Sequence, residues 1–143
     1  FNCMKKFIYI LGVIVFCSEA AAKSDWLEMG RTDEFNYFIN VPSVKNINVY
    51  GKPIIQAWIK MEIYNDITKD GLSVGDYSLL LYHINCEDET IGLKSSTDYK
   101  SNGKTLGRSL NYTYVEMKDV IPNSIGQGIL SYGCAAIEYK NSK

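Results

Sequence analysis

The sequence predicts a small α+β domain, a mostly β chain that ends in one helix and carries a single disulfide. Apolar and polar residues alternate over several runs with the period of two that is typical of strands. Near the C-terminus the spacing changes to that of a helix, and one pair of cysteines, Cys86 and Cys134, is available to cross-link the domain. At 143 residues and 46% hydrophobic content, the chain is about one domain long and can bury a core.

The N-terminal segment has the features of a secretory signal peptide. Lys5 and Lys6 supply a positive start, residues 7–16 are apolar, and residues 20–22 are alanines of the kind that precede a signal-peptidase site. A membrane anchor is a poorer interpretation, because a bilayer-spanning helix needs about 20 apolar residues. We expect translation to start at Met4, which places the three residues before it upstream of the true start.

The signal peptide sets the expected location of the protein. We expect cleavage between Ala22 and Lys23, export to the periplasm or the cell surface, and a single mature domain over residues 23–143. A lipid anchor on Cys17 is disfavoured, because a bacterial lipidation site has Gly, Ala or Ser before its cysteine and Phe16 stands there. Without the signal peptide, no stretch of the chain is expected to span a membrane.

Cleavage reduces the four cysteines to two. Cys3 and Cys17 leave with the signal peptide, and the pair that remains, Cys86 and Cys134, is predicted to form a disulfide in an oxidising compartment. A metal site is a poor alternative, since the chain has no Cys-x-x-Cys spacing and a single histidine, His83. A bridge between Cys86 and Cys134 closes a long loop, and in the chain-entropy model such a bridge stabilises a small domain by roughly 4 kcal/mol.

Four runs in the first part of the domain predict strands. The clearest, residues 55–64, alternates apolar residues such as Ile55, Ala57 and Ile59 with polar or aromatic ones. A preceding aromatic run stops at Pro42, which has no backbone N–H for a sheet ladder. Turn residues separate the runs. The predicted strands cover residues 26–31, 35–39, 55–64 and 77–86.

The later part of the chain predicts a hairpin and then a helix. Asn-Gly at residues 102–103 is the strongest hairpin turn in the chain and joins strands predicted over residues 90–100 and 106–118. Ser124 and Gln127 then have the spacing of a capping box at the start of a helix over residues 124–139. The glycines inside this helix each cost about 1 kcal/mol relative to Ala, so packing and Cys134 must hold it in place.

Composition and motifs disfavour several classes of function. A net charge of −1, without a basic stripe, makes nucleic acid an unexpected partner. The sequence has no phosphate-binding glycine loop and no convincing nucleophile, base or carboxylate pair. We therefore expect a protein that is not an enzyme, with no catalytic residues, no metal and no cofactor.

Three groups of residues remain as candidates for chemistry or binding. His83 lies on a strand face with Leu79 and Leu81 and is expected to be a hydrogen-bonded core or edge residue. The carboxylates of residues 87–89 could bind a cation, but three adjacent acids in a turn more often form a solvated loop. The eleven tyrosines suit contact surfaces as well as strands. Those singled out are Tyr50, Tyr64, Tyr99, Tyr112, Tyr114 and Tyr132.

The order of these features resembles the surface-adhesin protein E family of Gram-negative bacteria. The resemblance covers nearly all of residues 26–134, and its most specific part is a cysteine twelve residues after Pro122 together with its partner cysteine. Asn40, Asn123, Gln127 and Met117 depart from the family pattern without affecting the architecture. The matching pieces are Trp26, residues 36–40 with Ser43, Cys86, residues 120–124, Gly126 with Gln127, and Cys134.

The resemblance implies an antiparallel sheet of about six strands with a C-terminal helix tethered to it by a disulfide. It also implies adhesion to host extracellular-matrix proteins such as vitronectin and laminin, with a homodimer as one oligomeric state. None of the matched motifs is a contact site, so the ligand-binding residues stay unassigned. The alternative function is that of a periplasmic small-ligand-binding or inhibitor domain, which would use the concave sheet face beside the helix.

Overall fold

The structure, a computed structural model, describes residues 24–143 and consists of eight β-strands and one α-helix. The expected cleavage site between Ala22 and Lys23, and the signal peptide before it, lie outside the described residues. The elements are β1 (Trp26–Arg31), β2 (Phe35–Asn40), β3 (Lys45–Val49), β4 (Lys52–Ile63), β5 (Tyr77–Asn85), β6 (Thr90–Tyr99), β7 (Thr105–Asn111), β8 (Lys118–Asp119) and α1 (Ile125–Asn141).

All strands belong to one sheet in which every neighbouring pair is antiparallel. The strands follow the order β1-β2-β4-β5-β6-β7, while β3 pairs with the start of β4 and β8 with the start of β6. The sheet is therefore six positions wide, which confirms the predicted antiparallel sheet of about six strands. A short 3-10 turn, Val41–Ser43, joins β2 to β3 and lets both lie along the same edge of the 12-residue β4.

Helix α1 packs on one face of this sheet and forms the core with it. The close approach depends on Gly133, where an added Cβ would lie 2.6 Å from Ile84 Cδ1. The predicted C-terminal helix is thus confirmed. Buried core residues come from β2, β4, β5 and the helix: Ile39, Ile55, Ala57, Ile59, Leu80, Ile84, Ile129, Leu130 and Ala136.

Covalent and polar contacts attach the helix to the sheet. Cys86, directly after β5, is bonded to Cys134 in α1, with Cα atoms 5.9 Å apart and a sequence separation of 48 residues. At the end of the helix, Lys140 Nζ donates hydrogen bonds to the backbone carbonyls of Pro42 and Val44. The predicted disulfide tether is confirmed, and a second attachment that was not predicted secures the last turn.

Two strand predictions need correction. Residues 106–118 do not form one strand, because β7 ends at Asn111 and residues 112–117 leave the ladder before β8. Strand β3 was missed, because Lys45–Val49 is short, largely polar and exposed, and gains its strand conformation only by pairing with β4. We call residues 112–117 the crossing segment.

The capping box at the start of α1 is confirmed in one half only. Ser124 Oγ accepts a hydrogen bond from the Gln127 backbone N–H at 3.3 Å, as such a motif requires. The Gln127 side chain, however, accepts from the backbone N–H of Asn123 at 2.6 Å, one residue before the expected donor. The helix continues to Asn141, two residues beyond its predicted end.

Candidate functional site

The sheet face opposite α1, which we call the open face, carries large side chains that the helix does not cover. Directly paired residues of an antiparallel sheet share a face, so Trp58 and Lys60 of β4 lie with Leu81 and Leu79 of β5. Phe38 of β2, the strand on the other edge of β4, pairs directly with Lys60 and so lies on the same face. These side chains are half-buried by one another.

A lysine surrounded by aromatic rings forms the centre of the open face. Lys60 Nζ lies 5.2 Å from the ring centroid of Trp26, 4.9 Å from that of Phe38 and 6.0 Å from that of Tyr77. Tyr77 in turn stacks on Tyr99 of β6, with centroids 5.3 Å apart. An ammonium over aromatic faces is attracted by their quadrupoles. We call Trp26, Phe38, Lys60, Tyr77 and Tyr99 the aromatic patch.

At the other end of the open face is a cavity of about 330 Å³, which we call the His83 cavity. Its walls come from the β3–β4 hairpin, from β5 and β6, and from the crossing segment. The lining combines aliphatic side chains with two lysines, an arrangement that suits a ligand with both apolar and charged parts. These aliphatic and lysine side chains are Val49, Lys52, Ile54, Lys94, Val115 and Met117.

His83 itself is a buried histidine with an unsatisfied ring nitrogen. The residue is 7% exposed, and its Nδ1 has no hydrogen-bond partner within residues 24–143. The pKa of His83 is lowered from its usual 6.5, first by burial and then by the positive charge of Lys94, so the ring is neutral at pH 7. The expectation that this histidine is hydrogen-bonded was wrong for Nδ1, since no polar atom of residues 24–143 is placed to pair with it.

The crossing segment forms one wall of this cavity and depends on Gly92. An added Cβ at Gly92 would lie 2.5 Å from Val115 Cγ1 and 2.6 Å from the Glu116 carbonyl oxygen. Lys94 fixes the start of the segment, since its backbone carbonyl accepts from Tyr112 N at 2.9 Å and its ammonium donates to the Tyr112 carbonyl. The absence of a side chain at residue 92 therefore allows the segment to lie against the sheet.

A second cavity, of about 500 Å³, lies on the helix side of the sheet, where α1 begins. Tyr82, Ile91 and Leu93 line it from the sheet, and Val120 and Ser124 line it from the chain that enters the helix. Burial raises the pKa of Tyr82, so its phenol is neutral and available as a hydrogen-bond donor. We call this the helix-side cavity.

The acidic turn of residues 87–89 reaches the His83 cavity only through Asp88. Residues 87–89 form the exposed β5–β6 turn, and Asp88 in it accepts a hydrogen bond from the Asn85 side chain at 3.0 Å. Within residues 24–143 no group of three His, Cys, Asp or Glu side chains is placed to hold a metal ion. The single helix of that part of the chain is too short or too polar to cross a bilayer.

The tyrosines are distributed over several surfaces. Tyr99 belongs to the aromatic patch, while Tyr50 and Tyr114 line the His83 cavity and stack with centroids 6.4 Å apart. Tyr112 and Tyr114 were expected on a strand and lie instead in the crossing segment. Sequence reasoning did not identify the two cavities or the role of Lys60, because residues distant in the chain build them.

No protein-family model, no curated protein and no solved structure matches this chain. The resemblance to the surface-adhesin protein E family therefore stays a prediction. The fold and its surfaces define a disulfide-linked α+β domain with one uncovered, aromatic sheet face.

Proposed function

We propose that this chain is an exported, non-enzymatic binding protein that contacts a protein partner through the aromatic patch. The patch supports this proposal because aromatic side chains on a rigid sheet are among the residue types that dominate protein interfaces. Lys60 is held by the surrounding rings and is 23% exposed on its side chain, so little conformational entropy is lost when a partner covers it.

The partner class follows from the family resemblance. Host extracellular-matrix proteins such as vitronectin and laminin are the proposed targets, and a homodimer is one proposed oligomeric state. Export to the cell surface without a lipid anchor belongs to the same proposal. Sedimentation of the purified protein distinguishes monomer from dimer, and the measured mass of the exported protein reveals any acyl chain.

Binding to immobilised vitronectin and laminin tests the proposed function. We expect the exported protein to bind at least one of them, and Trp26→Ala and Lys60→Ala each to weaken binding about tenfold or more, as for interface hot spots. Tyr132→Ala is the matched control, because Tyr132 is exposed on α1, on the opposite side of the sheet. Failure to bind either protein, or equal affinities for all variants, would contradict the proposal.

The alternative function is that of a periplasmic small-ligand-binding or inhibitor domain. The helix-side cavity of about 500 Å³ favours it, since ligand pockets commonly have this size and a mostly apolar lining. The two functions predict different locations. Digestion by protease added to intact cells supports adhesion, whereas release only by osmotic shock supports the periplasmic alternative.

A further inference from the structure

The His83 cavity has the size and the lining of a ligand site. Its volume of about 330 Å³ lies at the lower end of the range for small-molecule pockets, so it suits a compact ligand. The cavity is remote along the strands from the aromatic patch, since Lys52 and Ile54 lie at the opposite end of β4 from Lys60. Binding here does not depend on the proposed function.

The charges around the cavity favour an anion. Lys52 and Lys94 both line it, and neither forms an ion pair with a carboxylate within the described part of the chain. The lining carboxylate, Asp88, accepts a hydrogen bond from Asn85 at 3.0 Å. The two ammonium groups thus outnumber the single acid, and each lacks a carboxylate partner.

His83 is the second and independent observation. Buried polar atoms in proteins nearly always have hydrogen-bond partners, and an exception in a cavity wall often marks a functional site. The residue is buried to more than nine-tenths, and its Nδ1 lacks a partner within residues 24–143. His83 thus places a polar side chain with an unpaired atom in the cavity wall, and a ligand that fills the cavity would lie beside it.

The rest of the wall selects against a fully hydrated inorganic anion. Val49, Ile54, Val115 and Met117 are aliphatic, and contact with them releases water from an apolar ligand surface. We propose that the His83 cavity binds a small amphipathic carboxylate, whose carboxylate group is held by the ammonium groups of Lys94 and Lys52. Its short apolar chain lies against the aliphatic wall.

Titration of the exported protein with hexanoate, followed by NMR, tests this proposal. His83 is the only histidine in the sequence, so its imidazole signals need no further assignment. We expect these signals to shift and saturate with hexanoate, and hexan-1-ol, the neutral analogue, to bind at least tenfold more weakly. Inorganic phosphate should not displace hexanoate. No shift with hexanoate, equal binding of the alcohol, or displacement by phosphate would overturn the proposed ligand class.

Two lysine variants locate the carboxylate. Lys94→Met and Lys52→Met should each weaken hexanoate binding about tenfold, while Lys104→Met, in the exposed β6–β7 turn, should leave it unchanged. Lys94 also holds the Tyr112 carbonyl, so its replacement could disturb the crossing segment. Lys52 has no such role, and unchanged binding in Lys52→Met would overturn the assignment of the carboxylate position.

Discussion

Asp76 shows how one buried charge can organise a region of loops. The residue is 3% exposed, and its carboxylate accepts hydrogen bonds from Ser73 N at 2.8 Å, Ser101 N at 2.9 Å and Lys100 Nζ at 3.1 Å. These contacts, first of all the bond from Ser73, lower the pKa of Asp76. The carboxylate therefore ties the loop before β5 to the β6–β7 hairpin turn. Nothing in the sequence marked it, because two of its three donors, Lys100 and Ser101, are distant in the chain.

Replacing Asp76 by Asn should destabilise the protein in a pH-dependent way. At pH 7 we expect a loss of about 2 kcal/mol, because hydrogen bonds to a charged group are replaced by weaker ones. Because the pKa of Asp76 is lower in the folded protein than its usual value of 3.8, its ionised carboxylate stabilises the fold at any pH above 3.8. This stabilisation is lost as the pH falls through the folded-state pKa. Urea unfolding at pH 7 and at pH 2.5 measures the free energy of unfolding of both proteins. The difference between Asp76→Asn and wild type should be smaller at pH 2.5.

The control for this experiment is Asp119→Asn, since Asp119 is exposed in β8. It should change the free energy of unfolding by less than about 0.5 kcal/mol. If the free energies of unfolding of Asp76→Asn and wild type differ by the same amount at both pH values, the charge of the carboxylate contributes nothing to stability.

At the scale of elements, α1 contains glycines that serve different purposes. Gly133 allows close contact with the sheet, whereas an added Cβ at Gly128 would have no atom within 4 Å. Both lie inside the helix, where Gly costs about 1 kcal/mol relative to Ala. Packing against the sheet therefore offsets the cost of glycine at Gly133, whereas no contact offsets it at Gly128.

Alanine substitutions at these two glycines should have opposite effects. Gly128→Ala should stabilise the protein by about 1 kcal/mol through helix propensity alone. Gly133→Ala should destabilise it by about 1–3 kcal/mol, because the new methyl group overpacks against Ile84 and separates helix from sheet. Thermal unfolding of the two variants provides the measurement. The same sign of change for both would show that α1 does not pack as described.

At the scale of the whole molecule, the disulfide joins the two layers of the fold. It closes a loop that contains β6, β7, β8 and the first half of α1. Tertiary contacts also hold the helix through Ile129, Leu130 and Lys140. The bridge and these contacts together compensate for a helix with three glycines.

Replacing Cys86 and Cys134 by Ser should lower stability by roughly 2–5 kcal/mol, the usual effect of losing a native bridge in a small secreted domain. Hydrogen exchange should rise first in residues 124–141, because local opening of the helix becomes easier than opening of the sheet. Exchange measured by mass spectrometry, with peptide mapping of the unreduced wild type, tests both points. Two free thiols in the exported protein, or unchanged protection of the helix, would refute the tether.

Sequence patterns alone determined much of this architecture. Alternation over β4 and β5, the Pro at the end of β2, the Asn-Gly turn and the Ser124 cap each act over a few residues, and each was predicted within a few positions. The cysteine pairing also followed, because only two cysteines remain after the expected cleavage. Such features depend on local backbone preference or on simple counting, so they can be identified without the fold.

Only the tertiary structure decided the sites. The crossing segment lies against the sheet at Gly92, some twenty residues earlier in the chain. A side chain at this position would prevent the contact, because an added Cβ would lie 2.5 Å from Val115 Cγ1. His83, Lys94 and Lys52 meet in one cavity because two antiparallel pairings, β4–β5 and β5–β6, align them, and Lys60 gathers its rings from β1, β2 and β5 in the same way. Long-range register fixes these contacts, and no local pattern encodes it, since register follows from packing of the whole sheet against α1.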